Sequence, residues 1–298
     1  MKRMFSIVVS VTMLIAGSIN AYAIAPPLMS NNSNSVLVAS AEVNEYDILC
    51  AESSSSPNGM NIISDSESIE NTLLERAQMP IETLYAYGYD DNEIEILKEY
   101  DGSPIEENPQ LRAIMATMSC EIYRTSYDDS GASVRFEWDW DSAPLFSGSE
   151  IYDCVGCAWI GVDSTNGFHA LRFQDKDSEC MIYYYDTSYD HYTVVDIDDA
   201  AVDSYVEARF SMSNTPTTWA KAGYMTVTVA EPITVNDLEY STFVFAYGHA
   251  YLTATPGFSV SGSGVSVSLT PKAGTKPMFN GSISIWTNGD VRFGGDAT

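Results

Sequence analysis

From about Ser119 onward, apolar and polar residues alternate with a period of two. In the clearest run, 132–140, Val134, Phe136, Trp138 and Trp140 share one side, while Arg135, Glu137, Asp139 and Asp141 share the other. One apolar side and one charged side is the pattern of a half-buried antiparallel strand. The preceding run, 120–127, reaches it through Asp128-Asp129-Ser130-Gly131, a turn signal, so the two read as a hairpin. Further strands are expected around 155–162, 170–173, 181–185, 192–196, 204–211, 225–229, 240–253, 258–269 and 282–286. Asn288-Gly289 supplies a final hairpin turn. Short strands with turns at regular intervals predict a mainly β chain, an antiparallel β-sandwich or jelly-roll-like domain over 119–298.

The pattern before that domain is helical. Ser64-x-x-Glu67 reads as a capping box that opens a helix through Leu73, Leu74 and Ala77. Pro80 suits the first turn of a second helix, ended by Gly88, and Asp90-x-x-Glu93 caps a third through Ile94 and Leu97. These three helices form a small module over 62–104. They are too few to bury much by themselves, so they are expected to pack on the β domain or to act as a pro-region. Residues 24–61 are rich in Ser and Asn and read as a disordered linker, although 36–39 could dock as a strand. Residues 1–23 have a basic start, a short apolar run and a small-x-small ending at Ala21-Tyr22-Ala23. They read as a signal peptide that makes the protein secreted and extracellular.

Charge narrows the partners. The chain carries a formal net charge of -27, which becomes -29 without Lys2 and Arg3. From Met212 on there are five acidic and four basic residues, so the excess lies upstream, between Glu42 and Glu207. Such a charge repels nucleic acid and anionic lipid headgroups, and no second long apolar segment predicts membrane insertion after signal removal. It favours a basic protein surface or a bound cation, or serves only as a solvated acidic face. The five cysteines leave one thiol over if the rest pair. Cys154 and Cys157 sit three apart on an expected strand, which points them to opposite faces and away from a shared metal.

Candidate chemistry follows from the carboxylates and the aromatic rings. Glu137-x-Asp139-x-Asp141 sets three carboxylates along one strand face. The triplet resembles the Glu-x-Asp-x-Glu motif of jelly-roll glycoside hydrolases, which implies a strand-borne nucleophile and acid/base, with Asp141 one carbon short of the motif. Asp175, Asp177 and Glu179, with Asp196 and Asp198, offer hard oxygen ligands for Ca²⁺. An EF-hand is excluded, because counting from Asp175 its glycine and glutamate positions hold Cys180 and Asp186. Tyr183, Tyr184 and Tyr185 bring amphipathic rings near acidic loops, a combination suited to carbohydrate or protein contacts. No nucleophile elbow, zinc-binding helix or glycine-rich phosphate loop is present. The expectation is a non-catalytic binding or surface-interaction protein, with a glycoside-hydrolase-like enzyme as the alternative. The run 136–144, followed by Glu150-Ile151 and 155–159, is similar to uncharacterised secreted proteins of Gram-positive bacteria. That resemblance implies export and a β-rich body and brings no function with it.

Overall fold

In the computed structural model, the alternation after Ser119 becomes two seven-stranded antiparallel sheets around one shared core. The structure describes residues 35–47, 65–128, 131–145, 151–186, 191–201, 204–213, 218–230, 238–250, 257–262, 267–271 and 275–293. The expected signal peptide, Ser64 and most of the expected linker lie outside them.

The first sheet runs in the order β1 (Val36–Asn44), β2 (Thr117–Asp128), β3 (Gly131–Trp140), β11 (Thr218–Ala230), β7 (Glu179–Asp186) and β8 (His191–Val195). The short β6 (Arg172–Phe173) also pairs with β11. The second sheet runs β16 (Val291–Phe293), β15 (Thr275–Trp286), β12 (Leu238–Ala250), β4 (Tyr152–Asp163), β10 (Tyr205–Ser211) and β9 (Asp198–Ala201). Here β5 (Phe168–His169) pairs with β4. The expected strand at 258–269 is instead a hairpin of two, β13 (Phe258–Gly262) and β14 (Val267–Pro271).

The linker expectation needs correction. Residues 36–44 form edge strand β1, antiparallel to β2 from Val36 opposite Arg124 to Asn44 opposite Thr117. Val38, Ala39 and Val43 pack against the core, while Ser40 and Glu42 face out. Small inward residues and Ser/Asn-rich flanks gave the segment a weak apolar signature. Pairing with β2 supplies what local composition lacks.

Between the sheets, large rings fill the space. Phe136 stacks with Trp138 and Phe245 at centroid distances of 5.7 and 5.6 Å, and Trp138 lies 5.7 Å from Phe210. Two of the buried indoles keep hydrogen bonds: Trp159 Nε1 donates to Leu171 O at 2.8 Å and Trp140 Nε1 to the Tyr247 hydroxyl at 3.3 Å. Strand β4 is dry on both sides. Val155, Cys157 and Trp159 face the central core, whereas Cys154 and Ala158 face a second cluster under the β13–β14 hairpin with Phe258 and Leu269. A Cβ on Gly156 would stand 3.0 Å from the Phe258 ring and 3.2 Å from Tyr205, and one on Gly161 would meet Leu171 at 2.7 Å. Cys120, Cys154, Cys157 and Cys180 are all buried.

Among the described residues, helices form where the pattern places them, with a further one after Pro109; the expected Ser64 cap lies outside the described residues. The helices are α1 (Asp65–Gln78), α2 (Ile81–Ala86), α3 (Asp91–Lys98) and α4 (Pro109–Ala113). Gly88 follows α2 at φ +90°, where other residues are strained. The α3 capping box is complete: the Glu93 amide donates to Asp90 at 2.8 Å, and the Asp90 amide donates to Glu93 at 2.8 Å. Leu73, Leu84, Leu97, Ile105, Leu111 and Leu145 give the module its own buried cluster. Trp219 Nε1 donates to Ala86 O at 3.0 Å and ties α2 to the first sheet.

Candidate functional site

The outward side of the first sheet gathers most of the residues that sequence singles out. Because Phe136, Trp138, Met225, Cys180 and Ile182 point into the core, their neighbours point away from it. Strand register sets these neighbours in rungs. One rung runs Glu121, Glu137, Tyr224, Met181 and Val194. The next runs Ser119, Asp139, Ala222, Tyr183 and Tyr192. On the opposite flank lie Tyr123, Arg135, Thr226 and Glu179.

The centre of the face is a network of rings and charges. Arg135 Nε stands 2.7 Å from Glu137 Oε1, and its guanidinium carbon lies 3.5 Å from the centre of the Tyr224 ring. The Tyr224 hydroxyl donates to Glu179 at 2.7 Å, and the Tyr123 hydroxyl donates to Glu121 at 2.5 Å. Burial raises the Glu137 carboxyl above its usual range; Arg135 opposes that rise and Glu121 adds to it. Asp139 is raised by burial too, against the pull of Lys221, whose Nζ donates to it at 3.1 Å. Tyr123 and Tyr224 are both held neutral, first by burial and then by the carboxylates they bond. Tyr192 and Val194, on the edge strand, remain exposed.

Each expected site residue has a definite place. Glu137 and Asp139 share the face, as alternation requires. Asp141 ends the strand instead, accepting from the amides of Thr117 at 2.8 Å and Ser142 at 2.6 Å. Tyr183 lies outward, its ring centre 5.2 Å from that of Tyr192. Tyr184 is turned into the core and donates to Ser211 O at 2.8 Å, while Tyr185 packs beside Trp219. Tyr184 therefore leaves the candidate surface, since its pleat position faces the core.

The five carboxylates proposed for Ca²⁺ do not converge. Asp175 and Asp177 lie in a 3₁₀ turn, Glu179 opens β7 and binds Tyr224, and Asp196 and Asp198 sit beyond β8. Among the described residues, no three His, Cys, Asp or Glu side chains group as metal ligands. Cys154 and Cys157 occupy opposite faces of β4, as their spacing predicts.

Sequence reading missed Glu121. The turn signal alone could not have found it: counted from Asp128 opposite Gly131, Glu121 would face Trp138, and the bulge between Arg124 and Ser126 shifts the register by one and brings it opposite Glu137.

No protein-family model and no characterised protein matches the chain. Among solved structures, Clostridium perfringens delta-toxin is similar over 60% of this chain and 88% of its own, at 8% identity and a TM-score of 0.24. A structure titled "AvmM Catalyzes Macrocyclization in Alchivemycin A Biosynthesis" is similar over 48% and 79%, at 10% identity and a TM-score of 0.20. Scores this low carry no argument about function. The class that the coordinates define is a mainly antiparallel β-sandwich with a few helices.

Proposed function

We propose that this is an extracellular binding protein whose contact surface is the outward face of β2, β3, β11, β7 and β8, and whose partner is a basic protein surface. The observation that supports this reading most is the composition of those rungs. Glu42, Glu121, Glu137, Asp139 and Glu179 share the face with Tyr123, Tyr183, Tyr192 and Tyr224, while its cations Arg135 and Lys221 are already paired with Glu137 and Asp139. Tyr192 is exposed and gives contact area at low entropy cost, the buried Tyr183 and Tyr224 rings hold Tyr192 and Glu179 in place, and the carboxylates attract and orient a cationic partner. The overall charge of -27 strengthens that attraction at long range.

The test compares two double variants of the full chain against a lysine-rich peptide. Neutralising Glu137→Gln with Glu179→Gln should weaken binding about tenfold or more. Neutralising the exposed Glu95→Gln on α3 with Glu99→Gln just after it changes net charge equally and should cost far less. Equal losses would mean the face is not the contact surface. Binding of neutral oligosaccharides that ignores salt would put a carbohydrate in the place of the basic partner.

One observation favours a second reading, hydrolysis of a glycosidic bond. Glu121 and Glu137 are opposed on adjacent strands, where Cβ atoms stand about 4.5–5.5 Å apart. That spacing is compatible with the separation of about 5–5.5 Å that retaining chemistry uses between carboxyl groups. Burial suits Glu137 to act as the acid, and the bond from Tyr123 would hold the Glu121 carboxyl in place as the nucleophile. The Arg135 ion pair works against a proton on Glu137, so this reading stands second. Release of reducing ends from polysaccharide that disappears in both Glu121→Gln and Glu137→Gln would move it to first.

A further inference from the structure

The β13–β14 hairpin lies folded back over the outer face of the second sheet, on a shallow floor. Register sets Cys154 opposite Gly248, Gly156 opposite Ala246 and Ala158 opposite Val244, so small residues pave β4 and β12 there. Phe258 and Leu269 pack on that floor with Cys154, Ala158 and Ala246 and are 2% and 3% exposed, while Thr270, next to Leu269, faces water. Phe258 pairs with Pro271 and Val260 with Leu269, so positions 258, 260, 267, 269 and 271 share one face of the hairpin.

The sequence of this region is unlike the rest of the chain. No Asp, Glu, Lys or Arg occurs from Tyr240 to Pro271, in a chain of which 18% is charged. Every second residue from Leu252 to Val260 is apolar, and those between are Thr, Gly or Ser. Every second residue from Val265 to Ala273 is apolar as well, and those between are Ser, Thr or Lys272. Each run is nine residues long, and Ser261-Gly262-Ser263-Gly264 joins them. A strand that crosses a bilayer needs about 9–11 residues with one apolar and one polar side. Strand β3, on the sandwich, has the same period but a charged outward side. The neighbouring ladder fits as well. β12 and β15 pair to their ends, with Ala250 opposite Thr275. Continued at that register, the ladder would set Leu252 opposite Ala273 and Val260 opposite Val265, so the two apolar sides coincide. Relative to the folded-back hairpin this is a shift of four positions, and an even shift keeps every side chain on its face.

We propose that this hairpin is a membrane-inserting element: it swings off the second sheet, extends the β12–β15 ladder and, with the hairpins of further copies, closes a barrel across a bilayer. Copies are required because a lone hairpin has two open edges, which hydrocarbon does not tolerate. The Phe258 amide donates to Glu207 at 3.2 Å rather than to β14, so residues of the apolar face send their backbone groups to the outer edges, where a neighbouring copy meets them. Pro256 and Pro271 each withdraw one donor from those edges, and water in the barrel serves the acceptor left over. The bilayer is zwitterionic, since the acidic excess upstream repels anionic headgroups. No helix among the described residues is long and apolar enough to cross a membrane, and the expectation of no membrane insertion rests on such segments, which strands do not need. The inference goes beyond the contact face of the first sheet and uses none of its residues.

The experiment adds the full chain to phosphatidylcholine vesicles loaded with a self-quenching dye. We expect the dye to be released. Fluorescent thiol labels at Val260→Cys and Val267→Cys should be quenched by nitroxides on the lipid chains, and labels at Ser259→Cys and Ser268→Cys should not. Adding Cys50→Ser to all four leaves only buried native cysteines, so each label reports its own position. Leu269→Lys sets a charge against lipid and should cut release about thirtyfold or more, whereas Thr270→Lys, on the water side, should cost about threefold or less. No release from these vesicles would overturn the proposal. So would release from phosphatidylglycerol vesicles alone, labels whose quenching does not alternate, or equal losses in the two lysine variants. If Leu269→Lys does not fold, the four labels decide alone.

Discussion

Glu207, on β10, has its carboxylate turned under the β13–β14 hairpin, where the Tyr205 hydroxyl, the Arg209 guanidinium and the Phe258 amide, at 3.2 Å, all donate to it. It is 2% exposed, whereas the Arg209 side chain is 34% exposed. Removing a fully buried partner costs about 3–5 kcal/mol, but Arg209 can recover water. Glu207→Ala should therefore cost about 2–3 kcal/mol in urea unfolding, with most of the loss borne by the Phe258 amide and Tyr205. A loss below about 1 kcal/mol would show that the hairpin is held by its apolar contacts instead. Asp90 gives a second, smaller measure: Asp90→Ala removes the α3 cap and should cost about 1 kcal/mol by the same method. The Asp90 box was legible in the sequence because both of its partners are local. Glu207 was not, since nothing in residues 204–211 reveals that a hairpin fifty residues later will close over it. Tyr184 was legible as to face, because pleat alternation sends it opposite Tyr183, and the core lies on its side.

At the scale of elements, strands with large inward residues announced themselves and β1 did not. β3 alternates without a break, and its hairpin with β2 followed from a turn signal between two such runs. β1 is short of large inward residues and was hidden by polar flanks, so only its partner reveals it. The cysteines test this level directly. Burial pushes the Cys120, Cys157 and Cys180 thiols well above their usual range, and Cys154 lies under the hairpin. Since the thiolate is the reactive form, these four should resist alkylation in the native protein and label fully in guanidinium. Mass spectrometry of the alkylated peptides reads the outcome. Labelling of Cys154 alone in native protein would mean that β13 and β14 lift away from β4.

At the scale of the molecule, the order of helices first and sandwich strands after was readable from the change of period. Their joint was not. Trp219 and Ala86 lie far apart in sequence, and neither belongs to a recognisable motif. The candidate face was legible in part: Glu137, Asp139 and Tyr183 were visible along their own strands, but the place of Glu121 depends on a bulge between Arg124 and Ser126 that no turn residue announces. Strand β4 carries a consequence of its own for how the chain finds its fold. A strand with one wet side cannot slide by a single position without turning inside out, so water polices its alignment. β4 touches water on neither side through its middle, and that safeguard is missing. Steric fit must replace it. The two hydrogen-sized notches at Gly156 and Gly161 accept Phe258 on one side and Leu171 on the other, and only one alignment brings both notches to their ridges. The centre of this sandwich is thus keyed like a lock, by what two residues lack.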